Sequence, residues 1–142
     1  MGRKALCLVA IVLLAFSVGS ACTLAQEASY VELWHKYISG WISTVSWSPS
    51  GDKLLALTGR KAVVLSSSGD VLWSVDEVKA ASWSPDGSAV AMAIGSKLVV
   101  YSSSGEKLWE VDAGDIHTFA GNIAGLAWSP SGDKLAIATH VP

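Results

Sequence analysis

The chain has 142 residues, enough for one domain at most. Hydrophobic residues make up 51% and charged residues 15%, the balance of a packed protein, which excludes a disordered chain. The formal net charge is −2 and there is no basic block, so nucleic-acid binding has no electrostatic support.

Arg3 and Lys4 precede an uncharged run from Ala5 to Ala25. Its apolar heart, Ala5 to Val18, has the length of the hydrophobic region of a signal peptide, and small residues follow it. Cleavage after Ala21 or after Ala25 suits those small residues. The run is also long enough to span a bilayer, for which about 20 apolar residues suffice. Residues 1–25 are therefore expected to form a hydrophobic helix, acting as a cleaved signal peptide or a retained membrane anchor. A buried core helix is a third reading. In the first two cases the positive end stays in the cytoplasm, and residues 26–142 form an extracytoplasmic repeat domain.

Cys7 and Cys22 are the only cysteines, and both lie in this segment, so the rest of the chain has no disulfide framework. Cys22 follows Gly19-Ser20-Ala21, which resembles a bacterial lipoprotein processing box. That pattern prefers Leu where this chain has Gly19. Lipidation of Cys22 stands beside the plain reading of a cysteine lost with the segment or buried in it.

Beyond Ala25 comes a short piece, Val31-Glu32-Leu33-Trp34, and then a 36-residue unit written twice. Trp47–Ser82 and Trp83–Thr118 share 16 of 36 positions without a gap. The shared positions include Trp47/Trp83, Pro49/Pro85, Gly51/Gly87, the Ser66–Gly69 and Ser102–Gly105 runs, and Trp73/Trp109. A third copy opens at Trp128. Self-similarity at a fixed period marks a stacked repeat architecture.

Each unit divides into four short pieces. The first ends at the Trp: Ser43–Ser48, Ala80–Ser84 and Gly125–Ser129. Alternation puts Val45 with Trp47, Ala81 with Trp83 and Leu126 with Trp128 on one face. Pro-Ser-Gly or Pro-Asp-Gly then turns the chain. The second piece, Lys53–Thr58, Ala89–Ile94 and Lys134–Thr139, is nearly all apolar, so both its faces are expected to be buried. Gly59-Arg60 and Gly95-Ser96 make tight hairpins. The third piece, Lys61–Leu65 and Lys97–Tyr101, is rich in β-branched residues. After the Ser-Ser-Ser-Gly turn, Val71–Val75 and Lys107–Val111 read as an outer, more solvated strand.

Four antiparallel strands per unit, buried on both faces in the middle, is the plan of a propeller blade. A helical solenoid of similar period fails, because four turn signals per repeat leave no room for paired helices. The expected fold is all-β: a partial β-propeller of two full blades and two partial ones.

The three boxes Trp47–Gly51, Trp83–Gly87 and Trp128–Gly132 make the chain resemble the WD40-type, WSPDG-type β-propeller repeat family, over roughly Val31 to Thr139. The Gly-His and Trp-Asp pairs of that family are missing, and its hairpin Asp is replaced by Arg60 or Ser96. The resemblance then implies that blades join through Trp and aliphatic faces rather than a polar network. The Ser-Gly-x-x-Leu-Trp tails at Ser68–Trp73 and Ser104–Trp109 resemble quinoprotein propeller repeats, in which the Trp docks one blade on the next. Trp47, Trp73, Trp83, Trp109 and Trp128 are the expected blade-packing residues, with Trp34 as the copy of Trp73. Only Trp41 lies off the pattern, and a hydrophobic contact in the first connecting loop is its plain reading.

Between Asp112 and Trp128 the chain is nine residues longer than between Asp76 and Trp83. In this class such connections emerge on one rim and carry partner contacts, which makes Asp115, His117 and Phe119 candidate partner-binding residues. Asp112, Asp115 and His117 lie close in sequence, but no second histidine or cysteine pair stands at ligand spacing, so no metal site is expected. The serine runs have no base at motif spacing, so no nucleophile is expected.

The sequence thus suggests an exported, non-enzymatic protein-interaction or scaffold module, a fragment of a larger propeller, that binds no cofactor and meets a membrane only through its N-terminal segment. The alternative is the propeller portion of an enzyme, such as a quinoprotein-like oxidoreductase or a propeller-supported hydrolase. The strand at Val31–Trp34 is expected to lack an inner neighbour and Lys134–Thr139 an outer one. Such open edges invite homo-oligomers.

Overall fold

The computed structural model describes residues 6–13, 30–112 and 122–140. These build twelve strands, all paired antiparallel with their neighbours. Strands β3 (Ile42–Trp47), β4 (Lys53–Thr58), β5 (Lys61–Ser66) and β6 (Val71–Asp76) form one four-stranded meander. Strands β7 (Val78–Trp83), β8 (Ala89–Ile94), β9 (Lys97–Ser102) and β10 (Lys107–Asp112) form the second. A two-stranded sheet lies on either side: β1 (Leu6–Leu13) with β2 (Tyr30–Ile38), and β11 (Asn122–Trp128) with β12 (Leu135–His140). The two full blades fall where the repeat put them.

The described part of the expected N-terminal helix is strand instead. Leu6–Leu13 pairs along the length of β2. A short apolar run fits either state by pattern, and the free edge of β2 decides. Pairing satisfies the backbone of both segments, which water would otherwise have to do for β2. The strand at Val31–Trp34 therefore has the inner neighbour it was expected to lack. Strand β12 has no neighbour beyond β11 among the described residues, as expected. The cleavage positions after Ala21 and Ala25, and Cys22, lie outside the described residues, as do Val141 and Pro142.

The middle strands are buried on both faces because each sheet packs against one on either side. On β4, Leu55 and Leu57 face the second blade, where they meet Val90, Met92 and Trp83. Leu54 and Ala56 face the other way, towards Ile38 and Trp34 of β2. On β8 the division repeats: Ala89, Ala91 and Ala93 face Ile123, Leu126 and Trp128 of β11. The outer strand β10 is the most solvated of its sheet, whereas β6 is matched in exposure by the first strand β3 of its own.

A bulge recurs in every outer pair. Val64 pairs with Trp73 and Leu65 with Val71, so Leu72 is skipped. Val100 pairs with Trp109 and Tyr101 with Lys107, so Leu108 is skipped. Ala10 pairs with Trp34 and Ile11 with Glu32, so Leu33 is skipped. The extra residue bends and twists the strand. It leaves each Leu exposed, and on β2 and β6 it precedes a Trp that reaches the next sheet. The Leu-Trp of the repeat tail is thus a bulge followed by an anchor.

Each anchor lands on a glycine. The Trp34 indole Nε1 donates to the Ser67 carbonyl at 2.8 Å, and its ring lies where a Cβ on Gly69 would come within 2.9 Å. Trp73 does the same one blade on, donating to the Ser103 carbonyl at 3.1 Å over Gly105. The opposite turns interlock too: a Cβ on Gly87 would come within 3.3 Å of Pro49, and one on Gly132 within 3.6 Å of Pro85. Gly105 also has φ +93°, a region other residues avoid. We expect Gly105→Ala to lower unfolding free energy by more than about 2 kcal/mol, through ring displacement added to backbone strain. Gly51→Ala, at φ +74° with open space around it, should cost only the strain, about 1 kcal/mol. Urea unfolding of the two variants measures the difference, and equal losses would refute the ring contact.

Candidate functional site

Antiparallel meanders send alternate connections to opposite rims. One rim carries the turns β3–β4, β5–β6, β7–β8, β9–β10 and β11–β12. The other carries β2–β3, β4–β5, β6–β7 and β8–β9, and β10 ends and β11 begins there.

The first rim is polar and satisfies itself. In the β3–β4 turn, Lys53 N donates to Ser48 Oγ at 3.0 Å, and Ser48 Oγ donates to Asp52 at 2.9 Å. Ser50 also donates to Asp52. The β11–β12 turn repeats this with Ser129, Ser131 and Asp133. In the β7–β8 turn the carboxylate comes from Asp86, two positions earlier than the box would place it, and accepts from Ser84 Oγ at 2.6 Å and Ser88 N at 3.0 Å. The two carboxylate positions are two solutions to one task, holding the buried serine at the strand end. The serine runs are likewise turn formers: Ser66 Oγ accepts from Asp70 N at 3.1 Å and Ser102 Oγ from Glu106 N at 3.0 Å. A groove of about 390 Å³ runs between Pro85, Asp86, Trp128 and Ser131. The Asp86 carboxylate and Ser131 hydroxyl there are already engaged in their own turns.

The second rim is different. Trp41 sits in the β2–β3 connection with 74% of its surface exposed. Most of its ring is in solvent rather than packed in the loop contact expected for it. Its backbone is fixed, because Gly59 N donates to the Trp41 carbonyl at 3.0 Å. Next to Gly59, Arg60 Nη1 lies 3.9 Å from Glu77 Oε1. Both ends of that pair are exposed, so it adds little stability. Glu77 alone connects β6 to β7 and holds φ at 60°, a left-handed conformation uncommon outside glycine. Gly59, Arg60, Glu77, Val78 and Lys79 surround a shallow cavity of about 120 Å³. One Trp, one Arg and one Glu thus stand together on positioned backbone. Sequence reasoning named Trp41 as off the repeat and Arg60 as standing in place of a hairpin Asp, but gave neither a contact role and did not single out Glu77; the residue that differs between two copies of a repeating turn was the available signal.

The expected packing tryptophans are placed unequally. Trp83 is buried and Trp73 half-buried between the two blades. Trp128 is half-buried against the second blade and donates to the Ser82 carbonyl at 3.2 Å. Trp47 and Trp109 are 45% and 46% exposed. Asp115, His117 and Phe119 lie outside the described residues. Among the described residues, no three His, Cys, Asp or Glu side chains gather as metal ligands would, and no helix is long and apolar enough to cross a membrane.

No family model matches the chain, and no curated protein does. Solved structures do. The C-terminal WD40 domain of Sif2 matches with a TM-score of 0.63 at 20% identity, over 76% of this chain and 34% of that one. A chain of the mitotic checkpoint complex gives 0.66 at 17% identity, over 83% and 39%. Sqt1 of Chaetomium thermophilum gives 0.64 at 19% identity, over 78% and 33%. The chain spans about a third of the length of these structures. At such identities the likeness is one of fold, and that fold is the WD40-type β-propeller blade.

The turn carboxylates make stability depend on acid. Hydrogen bonds from Ser50, Lys53 and Ser48 hold Asp52 far below the usual carboxylate range. Those from Ser84 and Ser88 hold Asp86 down at about 2, and Ser131, Lys134 and Ser129 do the same for Asp133. A carboxylate depressed in the folded state stabilises it above its unfolded pKa, and that gain is lost as pH falls through the folded value. We expect the melting temperature to fall between about pH 4 and pH 2. The triple variant Asp52→Asn, Asp86→Asn, Asp133→Asn should start lower and lose most of this slope. An unchanged slope would show that the turns do not hold these carboxylates.

Proposed function

We propose that the chain is a protein-interaction module of the propeller type, with the rim around Trp41 as its contact surface. The observation that carries this is the exposure of Trp41 on a backbone fixed by the Gly59 N–H. Trp and Arg are the residues most enriched at the energetic centres of protein interfaces. Arg60 and Glu77 add a charged margin beside it. The β10–β11 connection leaves the same rim, which makes Asp115, His117 and Phe119 part of the proposed surface. One structural neighbour is a chain of an assembly, the mitotic checkpoint complex, in keeping with such a role. The expected test is capture of partners from envelope extracts on immobilised protein. Trp41→Ala should weaken the main captured species at least about 10-fold, a loss typical of an interface hot spot. Leu72→Ala, an exposed residue away from this rim, should leave it unchanged. Equal capture by both variants contradicts the rim assignment.

Export and membership of a larger propeller belong to the same proposal. Arg3 and Lys4 ahead of the apolar run support export. Intact-mass measurement of fractionated cells tests it. We expect either a chain starting at Cys22 or Gln26, or the uncut chain in the membrane fraction. An uncut chain confined to the soluble cytoplasm would count against export.

A further inference from the structure

We propose that the groove between the β7–β8 and β11–β12 turns binds a small primary amine in its ammonium form. The groove lies on the rim opposite Trp41 and takes its lining from neither β1 nor β2, so it stands apart from the contact surface proposed above. Its volume of about 390 Å³ falls within the range of small-molecule sites, about 300–1,000 Å³. A Cβ on Gly132 would lie 3.6 Å from Pro85, so the two turns stand close on one side of it.

The first support is what the lining can still bond. Its side-chain donors are all spent. The Ser84 and Ser88 hydroxyls donate to Asp86, the Ser131 hydroxyl donates to Asp133, and the Trp128 indole donates to the Ser82 carbonyl. Pro85 and Pro130 bring no N–H at all. A hydroxyl has one proton and two lone pairs, so Ser88 Oγ and Ser131 Oγ can still accept. Asp86 keeps the most capacity. Its Oδ1 accepts from Ser84 Oγ, Ser88 N and Ser88 Oγ, whereas Oδ2 accepts only from Ser88 Oγ, at 2.8 Å. The groove therefore receives donors, and no side-chain donor is left in it for an anion.

The second support is the repeat itself. In the first and third boxes a lysine follows the aspartate, and its ammonium meets the second carboxylate oxygen. Lys53 Nζ lies 2.9 Å from Asp52 Oδ2, and Lys134 Nζ lies 2.9 Å from Asp133 Oδ2. In the second box the aspartate stands before the glycine, and Ala89 occupies the place of those lysines. Among the described residues no cation pairs with Asp86. Hydrogen bonds from Ser84 and Ser88 hold its carboxyl at about 2, so it is charged at neutral pH. One full negative charge thus lines the groove, and its open oxygen is the one that carries an ammonium in both sister turns. A ligand ammonium makes at Asp86 the contact that the repeat makes twice elsewhere. Trp128 and the two prolines line the rest with apolar surface, which suits an amine carried on an apolar body.

The test is titration of the isotope-labelled 142-residue chain with benzylamine near neutral pH, where the probe is an ammonium ion, read at the amide resonances of Ser88 and Ser131. These should shift and saturate with a Kd of about 1 mM, ordinary for a ligand of about eight heavy atoms. Benzyltrimethylammonium keeps the ring and the charge but has no N–H, and benzoate reverses the charge. Each should bind at least about 10-fold more weakly, since neither can donate to Asp86 Oδ2. Asp86→Asn should weaken benzylamine by at least about 10-fold, through loss of a charge-assisted bond. Asp52→Asn, which removes a turn carboxylate away from the groove, should leave the Kd unchanged. Absence of shifts at these two amides, equal affinity for benzylamine and benzyltrimethylammonium, or an unchanged Kd in Asp86→Asn would each overturn the site. Should Asp86→Asn fail to fold, the three probes on the unsubstituted chain decide alone.

Discussion

A tryptophan ring laid on a glycine of the next sheet sets the geometry of this molecule. Neither side chain nor backbone at Gly69 and Gly105 can change without moving the ring, because a Cβ would enter it. The indole N–H adds direction by donating to the serine carbonyl two residues before each glycine. A bulge one residue ahead of Trp34 and of Trp73 supplies the local twist that turns the strand towards that target. From these three features the angle and distance between neighbouring sheets follow. The aliphatic faces then fill the space, alternating along β4 and β8 to serve both neighbours at once.

This solution differs from one that ties sheets together with shared polar groups. Here the turn carboxylates bond within their own turns: Asp52 to Ser48 and Ser50, Asp86 to Ser84 and Ser88, Asp133 to Ser129 and Ser131. The polar groups hold strand ends, and the apolar groups hold sheets. The polar rim is thereby largely satisfied before any ligand arrives. The opposite rim, built from short connections with Trp41, Arg60 and Glu77, keeps its side chains in solvent.

Much of this was legible in the sequence, because repetition states the blade twice. The strand limits Lys53–Thr58 and Ala89–Ile94 follow from turn residues that bracket an apolar run, and the structure keeps them unchanged. The docking role of Trp73 followed from a tail motif. Three things were hidden. Leu6–Leu13 has the composition of a membrane segment, and nothing local says that β2 will offer it an edge. The exposure of Trp47 and Trp109 depends on which sheets stand beside them, not on their own surroundings in sequence. Trp41, Arg60 and Glu77 come together only because hairpins from separate strands share a rim, and a positive φ at a glutamate has no sequence signature.

The most direct measure of the account is hydrogen exchange at the tryptophan indole N–H groups, assigned by single Trp→Phe substitutions. If ring-on-glycine docking organises the sheets, Trp34 and Trp73 exchange at least about 100-fold more slowly than exposed Trp41, in step with cooperative unfolding. Exchange of Trp34 and Trp73 at the rate of Trp41 would show that the sheets are held together by something else.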